Sequence, residues 1–265
     1  MTKRYGATMY GDRWADIYDL LFEDRFARDT VDAVAFLLDL AGDGPALELG
    51  IGTGRVAIPL SDQGVRVHGI DASRAMVAKL RRKPGGRRIT VTVDDFERVP
   101  VRGSFRVVYV VFNTIFALLT QEAQVRCFAA AARRLQPGGA FVVQAFVPDL
   151  TRFDMDQRVQ ALEVGVDDVR LDVSVHDPVL QRVSVQHVQI EGERVRLDPV
   201  ELRYAFPSEL DLMARLAGLE LRNRWSSWRR DPFTADSTGH VSVYGRPAAR
   251  SRSREGAPYN PTDRA

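Results

Sequence analysis

Of 265 residues only one is cysteine, four are histidine and three are tryptophan, and the formal net charge is +2. Each scarcity excludes something. The lone thiol, Cys127, has no internal disulfide partner, and in its alanine-rich helical stretch it reads as a small buried hydrophobe, not a nucleophile. No apolar run approaches the roughly 20 residues that a membrane span requires. Met1–Gly6 also lacks the apolar segment of a secretory signal, so the expectation is a cytoplasmic protein with no membrane partner. With 37 basic against 35 acidic residues there is no basic stripe of the kind that binds nucleic acid. The densest cluster, Arg81-Arg82-Lys83 with Arg87-Arg88, flanks Pro84-Gly85-Gly86 and reads as a solvated helix end and turn. No His/Cys/Asp set has metal-ligand spacing, and Asp154, Asp156 and Asp167-Asp168 read as turns and solvated surface, so no metal is expected. Internal repeats are also missing.

What is present is an ordinary globular composition, 45% apolar and 27% charged, in a chain of single-domain size. Residues 10–40 read as helices, with Trp14, Ile17, Tyr18, Leu21 and Phe22 on one face and a second run at Val31, Val34, Ala35, Leu37 and Leu38. After the Gly42-Asp43-Gly44-Pro45 break, valine- and isoleucine-rich strands alternate with helices. The strands are Ala46–Leu49, Val65–Ile70, Thr90–Val93, Val107–Val111 and Ala140–Phe146, with helices from Gly54, from Ser73 and over Glu122–Leu135. Such runs predict an α/β fold, a parallel sheet covered on both faces. Ser73 fits the N-cap of the helix carrying Met76 and Leu80. Beyond Pro148 the pattern alternates with period two at Val159–Val164, Val169–His176, Gln181–Ile190 and Val195–Arg203, which predicts an antiparallel insertion over 148–205. A helix from Pro207 to Leu216 and strands at Leu219–Trp225 and Val241–Tyr244 follow, and residues 246–265 have the composition of a disordered tail.

The chemistry concentrates in Ala46-Leu47-Glu48-Leu49-Gly50-Ile51-Gly52-Thr53-Gly54, a strand running into a glycine loop and a helix, with Asp71 at the tip of the next strand. Glycines admit positive φ and close backbone approach, and a carboxylate at the second strand end can accept from both ribose hydroxyls, so the arrangement suits a nucleoside. A dinucleotide loop needs G-x-G-x-x-G, whereas here Arg55 stands where its third glycine belongs. Glu48 before the loop would repel a pyrophosphate and favour a cationic amino-acid ligand.

This Glu-x-Gly-x-Gly-x-Gly segment resembles motif I of the class I S-adenosylmethionine (SAM) methyltransferases, and Asp71 matches their ribose-binding acid. The resemblance runs from about residue 30 to 245. It implies a Rossmann-like seven-stranded sheet with SAM as cofactor, and the insertion is similar to those of small-molecule methyltransferases acting on aminosugars and glycine, where it roofs the substrate pocket. Carried over residue by residue, it places the cofactor against Glu48, Gly50, Gly52, Gly54, Asp71, Ala72 and Met76, with Asp95 for the adenine amino group and Phe96 beside the ring. Asp94 competes with Asp95 for that role. Phe112-Asn113-Thr114 after the fourth strand would pass the methionine moiety, with Asn113 either facing the methyl group or capping the next segment. Leu135-Gln136-Pro137-Gly138-Gly139 resembles the family's turn before the fifth strand, and Gln144 near that strand's end faces the pocket in one of its two registers. The segment over Tyr10, Trp14, Ala15, Tyr18 and Asp19 resembles the family's aromatic lid, its alternative being a helix packed on the sheet edge.

A methyl acceptor that is an alcohol needs a base, and two histidines are candidates: His187 in the insertion, above the pocket, and His240 after the loop Trp228–Gly239. His68 reads as packing and His176 as surface. The expected activity is methyl transfer to an oxygen or nitrogen of a small molecule such as a sugar or secondary metabolite. The alternative is a methyltransferase-like scaffold that binds SAM structurally and catalyses a cyclisation. A homodimer through the insertion is an open expectation.

Overall fold

A computed structural model describes residues 9–16, 18, 19 and 27–247. The expectations at Ile17, Leu21 and Phe22, for the side chain of Tyr10, and for the tail from residue 248 onward lie outside the described residues. The central strands are β1 (Ala46–Leu49), β2 (Val67–Asp71), β3 (Thr90–Val93), β4 (Phe105–Val110) and β5 (Leu135–Phe146). With β10 (Glu220–Trp225) and β11 (Gly239–Gly245) they form one seven-stranded sheet in the order β10-β11-β5-β4-β1-β2-β3. All neighbours among β1–β5 run parallel, while β11 lies antiparallel between β5 and β10. The strand order reverses beside β1, so the crevice above the β1 and β4 C-terminal ends is the place for a ligand.

The central strands are apolar on both faces because both are covered. Leu47, Leu49, Val108, Val110, Phe141 and Val143 pack in the core beneath α5 (Gln121–Arg134) and α6 (Pro207–Leu216). Their neighbours Ala46, Val107, Tyr109, Ala140 and Val142 pack in the core beneath α2 (Ala27–Ala41) and α3 (Ala57–Asp62). Phe128 of α5 is fully buried with its ring 5.0 Å from Phe141, and its truncation would cost ~3–5 kcal/mol. Cys127 beside it is buried, and burial pushes its thiol pKa well above the ordinary value. Ser73 caps α4 (Arg74–Arg82), its Oγ accepting from the Met76 N–H at 3.2 Å, and Thr120 caps α5 in the same way. Pro207 opens α6, where a missing N–H costs nothing.

The insertion is a separate four-stranded antiparallel sheet, β6 (Gln157–Val164), β7 (Asp168–Asp177), β8 (Arg182–Glu191) and β9 (Arg194–Arg203), in sequential order. The short helix α1 (Met9–Trp14) bridges it to the main body: Trp14 and Ala15 pack with Met76 of α4 and Val200 of β9, and the Ser73 hydroxyl donates to Asp12 at 2.8 Å. His176, expected at the surface, is instead buried. It lies between Asp156 and the Tyr204 hydroxyl with Phe153 stacked on its ring, because the 149–156 connection folds back over the sheet end.

Candidate active site

Above the strand ends lies a cavity of about 630 Å³. Its floor is laid by the residues that follow each parallel strand: Gly50 and Gly52 after β1, Asp71 and Ala72 at the end of β2, Asp95 and Phe96 after β3, Phe112, Asn113 and Thr114 after β4. Gln144 of β5 joins them, as do Met76 from α4 and Tyr18 from the N-terminal segment. His187 of β8 with Val200 and Leu202 of β9 closes it from the insertion side. Eleven of the fourteen residues expected at the site are therefore in one cavity wall; Glu48, Gly54 and His240 are not.

The loop geometry explains the glycines. Gly50 has φ +75, and a Cβ there would lie 2.4 Å from Thr114 Cγ2, so the two loops approach too closely for any side chain. Gly52 has φ +55 and open space where a Cβ would stand, so its backbone faces the cavity bare. Gly54 turns the other way, toward Ile58 and Leu80 beneath the loop.

Asp71 holds this loop. One carboxylate oxygen accepts the Gly52 N–H at 2.7 Å and the other accepts the Ser73 N–H at 2.8 Å. Burial raises its pKa while these two bonds oppose the rise. A carboxylate offers about four lone-pair sites, so acceptor capacity for two hydroxyls is left. Asp95 lines the cavity and accepts the Glu97 N–H at 2.8 Å, whereas its competitor Asp94 is exposed and outside the wall.

Glu48 sits behind the loop, 3% exposed, and receives the Tyr109 hydroxyl at 3.0 Å. Burial pushes its pKa up to about 8, against the opposing effect of that hydrogen bond, so a carboxylic acid dominates at neutral pH. His240 is 1% exposed on β11, its Nδ1 paired with the Ser242 hydroxyl and its pKa lowered to about 4 by burial and by Arg224. It is outside the cavity: β11 lies beyond β5, and the ring packs edge-on to Phe233 at 6.4 Å.

Sequence reasoning used Arg55 only to exclude a dinucleotide. In the structure its guanidinium lies 3.4 Å above the Phe112 ring centre, donates to Thr30 at 3.2 Å and to the Tyr18 hydroxyl at 3.4 Å, and lines the cavity. The signal was its place after the glycine loop, at the start of the following helix. The neighbouring Asp19 is clamped between Thr53 and Lys83, at 2.6 and 2.8 Å, which ties the aromatic segment to the loop. Phe112 and Asn113 both have positive φ, +53 and +63. Three bonds hold this strained corner to β5: Phe112 N–H to Gln144 Oε1, Asn113 N–H to the Gln144 carbonyl, and Phe146 N–H to Asn113 Oδ1.

The observed donors and acceptors suit an adenosyl amino acid. The bare Gly52 backbone and the Asp71 carboxylate would meet the ribose, Asp95 and Phe96 the base, and Arg55 with Tyr18 the amino-acid end. Among the described residues no group of three His, Cys, Asp or Glu side chains could hold a metal, and no helix is long and apolar enough to cross a membrane.

Comparison with known proteins agrees with this geometry. Residues 46–139 match a family described as "Methyltransferase domain". The chain is 30% identical over 201 residues to a cypemycin N-terminal methyltransferase of Streptomyces, covering 76% of this chain and 82% of that protein. Among solved structures, the CcbJ methyltransferase of Streptomyces caelestis is 42% identical with a TM-score of 0.86, over 92% of this chain and all of that one. SAM-bound CalS10, an amino pentose methyltransferase of Micromonospora echinaspora, shares the fold at 20% identity and a TM-score of 0.67, over 93% of this chain and all of its own.

Proposed function

The chain belongs to the class I SAM-dependent methyltransferases, and we propose that it methylates a nitrogen or oxygen of a small molecule of secondary metabolism, nitrogen being favoured. The observation that carries the reading is one cavity whose floor suits the cofactor and whose far wall is closed by the insertion. Relatives covering most of the chain are methyltransferases, one of them named for an N-terminal amine, which is the ground for nitrogen and against the cyclisation alternative.

SAM supplies a methyl group on a sulfonium, so the protein's task is to align the acceptor, exclude water and manage one proton. Gly50, Gly52, Asp71, Ala72, Met76, Asp95 and Phe96 would hold the nucleoside half, and Tyr18, Arg55, Phe112 and Asn113 would border the methionine half. Glu48 acts from behind, as an acid that braces the loop through Tyr109. Leu118, Leu119 and Ala123 with Val200 and Leu202 give the acceptor side an apolar wall that sheds water. The aromatic N-terminal segment, tied down through Asp19, is the lid in this reading.

We take the second partner to be another copy of the chain. The outer face of the insertion sheet leaves Val159, Val173, Val175, Val195 and Leu197 exposed, an apolar surface that an isologous sheet-on-sheet contact would cover.

Isothermal titration with SAM, S-adenosylhomocysteine and NAD tests the cofactor half. Micromolar binding of both adenosyl ligands with none of NAD is expected, and failure of both to bind would overturn the reading.

A further inference from the structure

His187 does not stand alone in the cavity wall. Its Nδ1 lies 2.5 Å from Asp172 Oδ1 on the adjacent strand β7, directly across the ladder. On its other flank the cross-strand partner is Asp198 of β9, itself paired with Arg196 at 2.7 Å. The Trp14 ring stands edge-on to the imidazole at 5.2 Å and 88°, which fixes the ring plane from the α1 side. Period two in three neighbouring strands therefore places Asp172, His187 and Asp198 in one row on the face turned toward the cavity. Nothing in the sequence alone pairs residue 172 with residue 187.

We propose that His187 and Asp172 form a proton-accepting dyad for the methyl acceptor, with Asp172 as the positioning residue. The proposal rests on the methyltransferase reading of the same cavity. A carboxylate on Nδ1 selects the tautomer with the proton on that nitrogen and leaves Nε2 as a lone-pair acceptor, the logic of every His–carboxylate pair in acid–base catalysis. An aliphatic amine arrives at neutral pH as an ammonium ion and is not a nucleophile in that form. The acceptor N–H proton passes to His187 Nε2 and the bonding pair remains on nitrogen. That lone pair forms the new N–CH₃ bond, while the electrons of the broken C–S bond stay on sulfur. The imidazolium, neutralised by Asp172, returns its proton to solvent. No oxidant or reductant is needed. The other charged groups around the dyad are Arg13, whose guanidinium donates to the Leu197 carbonyl at 3.1 Å, the Asp16–Lys79 pair, and Glu201, which lines the same cavity. Of these groups Asp172 contacts the imidazole itself, and Glu201 lines the cavity that a cationic acceptor would enter.

Two readouts test this. In ¹⁵N-histidine-labelled protein saturated with S-adenosylhomocysteine, NMR should show neutral His187 protonated on Nδ1, and Asp172→Asn should abolish that preference. Methylation of glycinamide, sarcosine amide and D-glucosamine, followed as S-adenosylhomocysteine formation from pH 6 to 9.5, should fall roughly hundredfold in kcat for His187→Gln near neutrality. The deficit should shrink at alkaline pH, where the amine is already free, and Asp172→Asn should lower kcat less while leaving cofactor affinity unchanged. An Nε2–H tautomer in the wild type, or a His187→Gln profile that superimposes on the wild type, overturns the dyad and leaves the methyltransferase reading standing. Intact cofactor binding with no turnover of any amine or hydroxyl acceptor overturns that reading, and the dyad with it.

Discussion

The Asp71 carboxylate accepts the Gly52 N–H at 2.7 Å, joining the end of β2 to the glycine loop after β1. One side chain thereby both shapes the loop and presents acceptor capacity to the cavity, and its removal should act on ligand binding more than on folding. A hydrogen bond to a charged group contributes about 1.5–3 kcal/mol, so Asp71→Ala should weaken SAM and S-adenosylhomocysteine roughly tenfold to a hundredfold. Calorimetric titration reads this directly. Unchanged affinity would remove the second strand end from the site.

Glu48 links stability to pH. Its folded pKa is raised to about 8 by burial, against the ordinary 4.5 of an unfolded chain. Between those values the folded state holds a proton that the unfolded state has lost, so this group's contribution to stability falls as pH rises from about 4.5 to 8 and is level above. Glu48→Gln cannot ionise. Urea unfolding at pH 6 and pH 8.5 should show a drop on the order of a few kcal/mol in the wild type that largely disappears in the variant. Equal slopes in both proteins would show that Glu48 is ionised in the fold.

His240 works with the opposite sign. Burial lowers its folded pKa to about 4 from 6.5, so the unfolded chain binds the extra proton and stability falls as pH drops from about 6.5 to 4. Replacing it with glutamine should flatten the acid side of the thermal-stability profile. Since the ring is 1% exposed within the sheet, the variant should keep the wild-type pH dependence of methyl transfer. Loss of the acid-side limb of that profile would return His240 to the chemistry.

The outer insertion face makes a prediction about assembly. Val173→Asp and Val175→Asp place charges on its exposed apolar surface without touching the cavity side of the sheet. Sedimentation should show a dimer for the wild type and a monomer for the double variant, with unchanged circular dichroism. A monomeric wild type would dismiss the second copy.

Much of this molecule is legible before folding. Continuous apolar strands with intervening amphipathic helices can only be satisfied by a sheet covered twice, which is why β1, β3 and α6 fall on their expected residues and the others shift by a few. Glycines at 50 and 52 and the acid at 71 are local requirements of backbone conformation and strand ends, and local requirements leave marks in sequence. Those marks suit a nucleoside, and their resemblance to motif I of the class I methyltransferases implies SAM. Period-two alternation likewise announces the four insertion strands.

What only the tertiary structure decided is which distant residues meet. Gln144 enters the wall one residue past the paired Val143 at the end of β5, where its Oε1 accepts the Phe112 N–H, and Arg55 enters it lying over the Phe112 ring. His240, equally polar and equally near a strand end, is withdrawn on β11, where its ring is buried against the Ser242 hydroxyl with Phe233 edge-on. Glu48 becomes an acid with a high pKa only when the core closes over it, against the opposing bond from Tyr109. Asp172 reaches His187 through the pairing of β7 with β8. Backbone conformation is set by neighbours in the chain, whereas burial, pKa and pairing are set by neighbours in space, and those exist only once the chain has folded.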